Sequence, residues 1–185
     1  MYGKMGLLVT TLFGVIIFLS KIFLPTPIND MFVVVQALLL ALSSLIVERF
    51  GATYASLING LLVTMLRPTF APFGLIFSLV YGLTTDGFIY AFKVKEGGQV
   101  RTVRSIAALA ISATLTGLSS MYITTLLGLL PMVPILYLII MLAGILNGAL
   151  AGYLASVIWN KYLLHYFKKT QPSLSARALS LTSPF

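Results

Sequence analysis

The chain has 185 residues, of which 59% are hydrophobic and 9% are charged. A soluble domain does not need so large an apolar fraction, so the composition indicates an integral membrane protein. The formal net charge of +8 is better explained by basic loops facing the cytoplasm than by binding to nucleic acid. There is no cysteine and one histidine, His165, which excludes a disulfide framework, a thiolate nucleophile and a multi-histidine metal or haem site within this chain.

Six apolar segments follow one another, each separated from the next by residues that interrupt a helix. Pro25 and Pro27 end the first, because proline lacks a backbone donor and fixes φ. The later breaks lie at 48–51, 67–72, 93–104 and 131–134. The pattern predicts an all-α integral membrane protein, a compact bundle of six transmembrane helices over residues 1–169, with a polar C-terminal tail at 170–185. The predicted spans are 5–24, 31–47, 52–66, 73–92, 105–129 and 133–162.

The distribution of Lys and Arg predicts the orientation of this bundle. With the N-terminus inside, ten basic residues fall on the inner side, and only Lys21 and Arg67 fall on the outer side. Because positive residues accumulate in cytoplasmic loops, we expect a multi-pass protein of the cell membrane with both termini in the cytoplasm. The ten inner residues are Lys4, Arg49, Lys93, Lys95, Arg101, Arg104, Lys161, Lys168, Lys169 and Arg177.

Asp86 is the one carboxylate that falls well within a predicted span. A charge at that depth costs on the order of 3 kcal/mol, so a buried partner, a wet cavity or a proton must compensate it. Its position toward the inner end of the fourth span leaves three alternatives. These are an ion pair with Arg49, Arg101 or Arg104, contact with a ligand, or a switch that a partner engages.

The third span is short for a hydrocarbon core of about 30 Å. The following loop at 67–72 is therefore expected to dip into the bundle, where irregular backbone is tolerated only beside protein or a water-filled cavity. Polar and aromatic side chains in this region predict a site for a small, flat, partly polar molecule. The predicted substrate-binding residues are Asp30, Gln36, Asn59, Arg67, Tyr81, Asp86, Tyr122, Tyr137 and Asn147.

Most of these residues also have a structural interpretation that the sequence leaves open. Asp30 is compatible with a helix N-cap, and Gln36 and Asn59 with hydrogen bonds between helices. Arg67 is compatible with an interfacial anchor and Tyr81 with the core.

Small residues recur at four-residue spacing in the first and last spans, which lets helix backbones approach closely. Each stripe either packs inside the bundle or meets a partner protein. A terminal helix has fewer internal neighbours, which favours a partner for the first stripe. The predicted partner-docking residues are Gly6, Thr10, Gly14, Gly144, Gly148 and Gly152.

No catalytic pattern accompanies these features. The sequence has no glycine-rich phosphate loop, no Ser/His/Asp set and no paired carboxylates, so the chain is not expected to be an enzyme or to hydrolyse ATP alone. We expect no metal site and no cofactor.

The order and spacing of three short elements, within residues 27–95, resemble the S component of an energy-coupling factor (ECF) transporter. The resemblance is to the YkoE type, assigned to hydroxymethylpyrimidine or thiamine uptake. In that family an acidic residue opens the second span and a Gly-Ala pair opens the third, and Asp30 and Gly51-Ala52 match these positions. The family's Gln-Gly-Leu-Gly-x-Glu type sequence in the fourth span is similar to the stretch from Tyr81 to Asp86.

This chain departs from the family pattern at several positions. Aspartate replaces glutamate twice, Tyr81 stands in place of glutamine, and the acidic residues of the third span appear here as Leu57 and Thr64. The departures leave fewer carboxylates for a cationic substrate.

The resemblance implies a subunit that captures a vitamin from outside and then docks on a T-type transmembrane subunit, with two cytoplasmic ATPases driving release. It also implies that the Gly6, Thr10 and Gly14 face meets the T component. A second hypothesis is a non-catalytic structural subunit of a larger membrane complex, for example a respiratory one. It rests on the glycine stripe of the last span and the lack of catalytic residues.

Overall fold

The computed structural model describes residues 2–23, 33–47, 50–66, 71–128, 131 and 133–164. In these ranges the chain is almost entirely helical, which confirms the predicted helical class. Two short strands, β1 (Lys95–Glu96) and β2 (Gln99–Val100), lie between the fourth and fifth helices. A π-helical turn, Trp159–Leu163, continues the last helix. The helices are α1 (Tyr2–Phe23), α2 (Val33–Ile46), α3 (Gly51–Leu66), α4 (Ala71–Ala91), α5 (Thr102–Leu126) and α6 (Pro134–Ile158).

Four of these helices are long and apolar enough to cross a membrane. Within the described ranges, helices α2 and α3 have 14 and 16 residues, and 16 residues rise about 24 Å, less than a core of about 30 Å. The sequence predicted a short third span; the start of the second, predicted at residue 31, lies outside the described residues. The apolar segments that meet the length are Met5–Ile22, Phe73–Ala91, Thr102–Leu126 and Pro134–Leu163.

The short helix α2 occupies the centre of the bundle. It packs against α1, α3, α4 and α6, and its side chains from Ala37 through Leu45 are mostly buried. Around it, α1 packs on α3, α3 on α4, α4 on α5 and α5 on α6. Helix α2 consists mainly of apolar and small side chains and carries no charged residue, which suits this central position.

The glycine stripe of α6 packs against α5 of the same chain. A Cβ atom at Gly152 would lie 2.7 Å from the Cα of Ile106, and one at Gly144 would lie 2.8 Å from the Cα of Thr114. Gly148 is equally close to the α5 backbone. Of the two alternatives for this stripe, the structure therefore shows packing inside the bundle.

The small residues of α1 are likewise covered from within the chain. Gly6 lies against Ile46 of α2, and a Cβ at Gly14 would lie 2.7 Å from the carbonyl oxygen of Ala55 in α3. Thr10, between them, is fully buried. The face that we expected to meet a partner is thus occupied by α2 and α3, because the terminal helix has two internal neighbours along this stripe.

The loop predicted at 93–104 contains an antiparallel hairpin. Lys95 pairs with Val100 and Glu96 with Gln99. The two connecting residues, Gly97 and Gly98, both have positive φ, at 60° and 85°. A two-residue hairpin turn with positive φ at both positions favours glycine, so the Gly-Gly pair was the signal in the sequence. The hairpin, the starts of α3 and α5 and the ends of α2, α4 and α6 share one end of the bundle, here named the hairpin end.

Side chains from the end of α6 hold this hairpin in place. Trp159 Nε1 donates to the carbonyl oxygen of Gly98 at 3.0 Å. Asn160 accepts from the Val100 N–H at 2.9 Å and donates to the Val100 carbonyl at 2.8 Å. Lys95 Nζ donates to the Leu45 carbonyl at 3.4 Å. The hairpin therefore connects the ends of α2 and α6.

Replacing Asn160 with alanine is expected to loosen the hairpin while the helices stay folded. The change removes both hydrogen bonds to Val100, and two such bonds together contribute about 2 kcal/mol, which speeds local opening about 30-fold. Amide hydrogen exchange at residues 95–100 measures this. Gln99→Ala, at an exposed position of the same hairpin, is the matched control, and equal exchange in the two variants would contradict the role of Asn160.

Candidate functional site

Asp86 makes three hydrogen bonds to the first turn of α3. Its Oδ1 accepts from the backbone N–H of Ala52 at 3.1 Å, and its Oδ2 accepts from the N–H of Thr53 at 2.7 Å. Thr53 Oγ1 also donates to Oδ2 at 2.7 Å. Asp86 on α4 thus caps the N-terminus of α3, a task that usually falls to a residue next to the helix in sequence.

This arrangement identifies what compensates the charge. The first N–H groups of a helix have no partner within the helix, and the N-terminus carries a partial positive charge. A carboxylate that accepts from two such N–H groups and a hydroxyl is well solvated by the protein itself. The compensating partner is therefore a helix N-terminus, which was not among the three alternatives.

Arg101 and Arg104 form ion pairs with Glu96 and not with Asp86. Arg101 Nη2 lies 2.9 Å and Arg104 Nη1 lies 3.2 Å from Oε2 of Glu96 on the hairpin. The prediction that either arginine pairs with Asp86 is wrong, because Glu96 lies on the hairpin beside the start of α5. The remaining candidate, Arg49, lies outside the described residues.

A close approach of α3 and α4 brings the Asp86 carboxylate to the helix it caps. A Cβ at Gly82, one turn before Asp86, would lie 2.7 Å from the Ala52 carbonyl oxygen and 2.8 Å from the Cα of Thr53. It would also overlap Oγ of Ser56. Glycine is needed here for the close contact between two backbones, and the contact brings Asp86 within reach of α3.

A second polar group lies further along the same helix pair. Asn59 is only 1% exposed, and its Nδ2 donates to Ser78 Oγ at 2.8 Å. Ser78 in turn donates to the Ser56 carbonyl at 2.8 Å. Within the described part of the chain, Oδ1 of Asn59 has no hydrogen-bond partner. A buried carbonyl oxygen without a donor costs about 1–3 kcal/mol.

Four hydroxyl groups form a chain between α4 and α5. Thr84 Oγ1 lies 3.1 Å from Thr116 Oγ1 and accepts from Ser112 Oγ at 3.2 Å. Ser112 Oγ lies 3.1 Å from Thr85 Oγ1. Each hydrogen bond of this kind between apolar helices contributes about 0.6 kcal/mol to the stability of the helix pair. The spacing of Ser112 and Thr116 by one helical turn was the signal in the sequence, and our prediction did not use it.

The predicted substrate-binding residues are spread along the bundle. Tyr81 belongs to the buried core, whereas Tyr122 is 53% exposed. Tyr137 donates to Thr125 Oγ1 at 3.3 Å and so connects α6 to α5. Gln36 and Asn147 are partly buried.

Hydrogen bonds of the described residues join none of the predicted residues to another. Among the predicted residues that the structure describes, Asn59 is buried and has an acceptor atom, Oδ1, without a hydrogen-bond partner. The Asp86 carboxylate accepts its hydrogen bonds from α3. Asp30 and Arg67 lie outside the described residues.

In the described ranges, no group of three or more His, Cys, Asp or Glu could hold a metal ion. The described interior offers two buried polar atoms without a hydrogen-bond partner, Oδ1 of Asn59 and Oγ1 of Thr10, together with a chain of hydroxyls and a capped helix. Comparison with models of protein families, with curated proteins and with solved structures finds no match to this chain.

Proposed function

We propose that the chain is the substrate-capturing membrane subunit of an importer of the ECF type. It binds a vitamin or vitamin precursor of the thiamine or hydroxymethylpyrimidine kind from the outer face. The observation that supports this best is the buried, unpartnered Oδ1 of Asn59. Its burial makes an unfilled acceptor costly, and a bound ligand with an N–H or O–H group would remove that cost.

The proposed topology has six spans with both termini in the cytoplasm. Four long apolar helices support it, as does the excess of basic residues at the hairpin end. The short helix α2 then packs mainly against its neighbours, whereas α3 is exposed at Leu61, Met65 and Leu66. Oriented this way, the hairpin end is cytoplasmic and α3 ends toward the outer face.

Asn59 lies on α3, which leads after about two turns into the segment that carries Arg67. We propose Arg67 and Asp30, which lie outside the described residues, as further ligand-binding residues. The amino group of a pyrimidine supplies the donor that Asn59 Oδ1 lacks. Asp86 has a structural task in this proposal, because its carboxylate already accepts three hydrogen bonds.

Release of the substrate would depend on partners. The chain has no phosphate-binding loop, so a T-type transmembrane subunit and two cytoplasmic ATPases are proposed to supply the work. No nucleic acid takes part.

Thermal unfolding of the purified chain in detergent tests the binding site. A ligand present at about 100 times its Kd stabilises by about 2.7 kcal/mol, which corresponds to a rise in Tm of about 5–10 °C. We expect this rise with thiamine or hydroxymethylpyrimidine. Asn59→Leu should abolish the rise. Ser78→Ala removes the neighbouring hydrogen bond but keeps Oδ1, so this control should retain it.

The outcomes separate the proposal from its alternative. If no vitamin raises Tm, and extraction in mild detergent brings large membrane proteins but no ATPases, the structural-subunit hypothesis is the better one. The broad exposed apolar face of α6 favours that hypothesis, because it could bind a neighbouring subunit as well as lipid. Co-purification of two ATPases and a T-type subunit would support the importer.

A further inference from the structure

Basic side chains gather on the hairpin end of the bundle. Glu96 is the one exposed carboxylate in the described part of the chain. The carboxylate of Asp86 is hydrogen-bonded to the start of α3. Among the described residues, the positive charges at this end therefore outnumber the negative ones. We name these residues the basic cluster: Lys93, Lys95, Arg101, Arg104 and Lys161.

The frame beneath the basic cluster is ordered by contacts from several elements. Glu96 holds both Arg101 and Arg104 through the same oxygen, and Arg104 also donates to the Lys93 carbonyl at 3.2 Å. Lys95 Nζ lies 4.9 Å from the centre of the Trp159 ring. Lys161 follows Asn160, whose side chain binds the hairpin strand. Arg101, Arg104 and Lys95 are thus held by contacts, which reduces the entropy that these side chains lose on binding an anion.

The depth of the cluster follows from the ends of the long apolar helices. Three membrane-length segments end or begin beside it, at Ala91, Thr102 and Leu163. Large side chains between the cations are turned outward: Tyr90 is 84% and Tyr162 is 61% exposed. Val103, between the two arginines, is 79% exposed. Tyrosine beside Lys and Arg at the end of an apolar helix is typical of the headgroup layer of a membrane.

We propose that the basic cluster binds the phosphate of an anionic phospholipid at the hairpin end. Arginine pairs well with phosphate because its guanidinium donates two parallel hydrogen bonds. The exposed apolar side chains beside the cations contact the acyl chains of the same lipid layer. An acidic protein would satisfy the charges but would leave these apolar side chains without a matching environment, so the lipid fits both features.

Native mass spectrometry of the full chain tests this in micelles with equal amounts of phosphatidylglycerol and phosphatidylcholine. We expect phosphatidylglycerol to be retained in preference. Lys161→Gln should lower its retention about fivefold, the effect of one basic residue near a charged membrane surface. Lys21→Gln removes the same charge from α1 at the opposite end and should leave retention unchanged. Glu96→Gln removes the negative charge from the basic cluster but keeps an acceptor oxygen for the two arginines, and should raise retention.

Several results would overturn the proposal. Equal retention of the two lipids would do so, as would equal losses in Lys161→Gln and Lys21→Gln. Displacement of phosphatidylglycerol by an excess of inorganic phosphate would assign the cluster to free phosphate. An acidic protein that co-purifies with the wild type but not with Lys161→Gln, without lipid preference, would assign it to a protein partner. Unchanged Tm values of the variants would show that they remain folded.

Discussion

Replacing Asp86 with alanine is expected to lower Tm in detergent by about 6–12 °C. The substitution removes the only side chain that caps α3 in the described structure, and two backbone N–H groups, of Ala52 and Thr53, lose their acceptor. Loss of a cap together with its charge-assisted hydrogen bonds costs about 3 kcal/mol. For a chain of this length that energy corresponds to the stated change in Tm.

Two further variants separate capping from charge. Asp86→Asn keeps one acceptor oxygen but loses the charge, so its Tm should lie between those of the alanine variant and the wild type. Glu96→Gln removes the other described carboxylate, whose ion pairs are exposed, and should cost less than about 1 kcal/mol. If Asp86→Ala and Glu96→Gln lower Tm equally, Asp86 does not stabilise α3 in the way the geometry indicates.

Replacing Gly82 with alanine is expected to be at least as damaging. The added Cβ would lie 2.7 Å from the Ala52 carbonyl oxygen and 2.8 Å from the Cα of Thr53. Because both are backbone atoms, the helices must separate, and overpacking of this kind costs about 3 kcal/mol. Separation of α3 from α4 would also lengthen the hydrogen bonds of Asp86. Thermal unfolding and hydrogen exchange at the start of α3 measure the two effects.

Gly87 provides the matched control on the same helix. A Cβ there would meet nothing within 4 Å, and alanine is a better helix former than glycine by up to about 1 kcal/mol. Gly87→Ala should therefore leave Tm unchanged or raise it slightly. Similar destabilisation by both substitutions would mean that the close contact at Gly82 is not what matters.

The dependence of Asp86 on Gly82 has a measurable consequence. If the close contact exists to bring the carboxylate to α3, the two substitutions act on one element, and their effects should not add. The double variant Gly82→Ala, Asp86→Ala should then be less destabilised than the sum of the single variants. Strict additivity would indicate that packing and capping are independent.

Much of the helical organisation could be predicted from the sequence. Long apolar runs interrupted by proline, glycine and charged residues define helices through local chemistry, and the observed helix ends lie close to the predicted ones. The Gly97-Gly98 pair is a sequence signal for a hairpin turn, but the hairpin was not predicted. The polar residues around the pair were interpreted only as a loop.

The candidate site was less predictable, and Asn59 and Asp86 show why. A polar residue in an apolar helix needs a partner, and the sequence establishes that need without identifying the partner. Asp86 binds residues 33 and 34 positions away, and Asn59 binds Ser78 on the next helix. Which helices meet, and in which rotation, depends on the packing of the whole bundle.

The sequence by itself determined that this protein is apolar enough for a membrane, that it is helical, and that its basic residues collect in a few segments. These are properties of composition and of local backbone chemistry. Only the tertiary structure decided that α2 is central, that the glycine stripes face other helices of the same chain, and that α3 compensates Asp86. These outcomes required the tertiary structure because a close contact or a hydrogen bond between helices depends on distances that no single segment encodes.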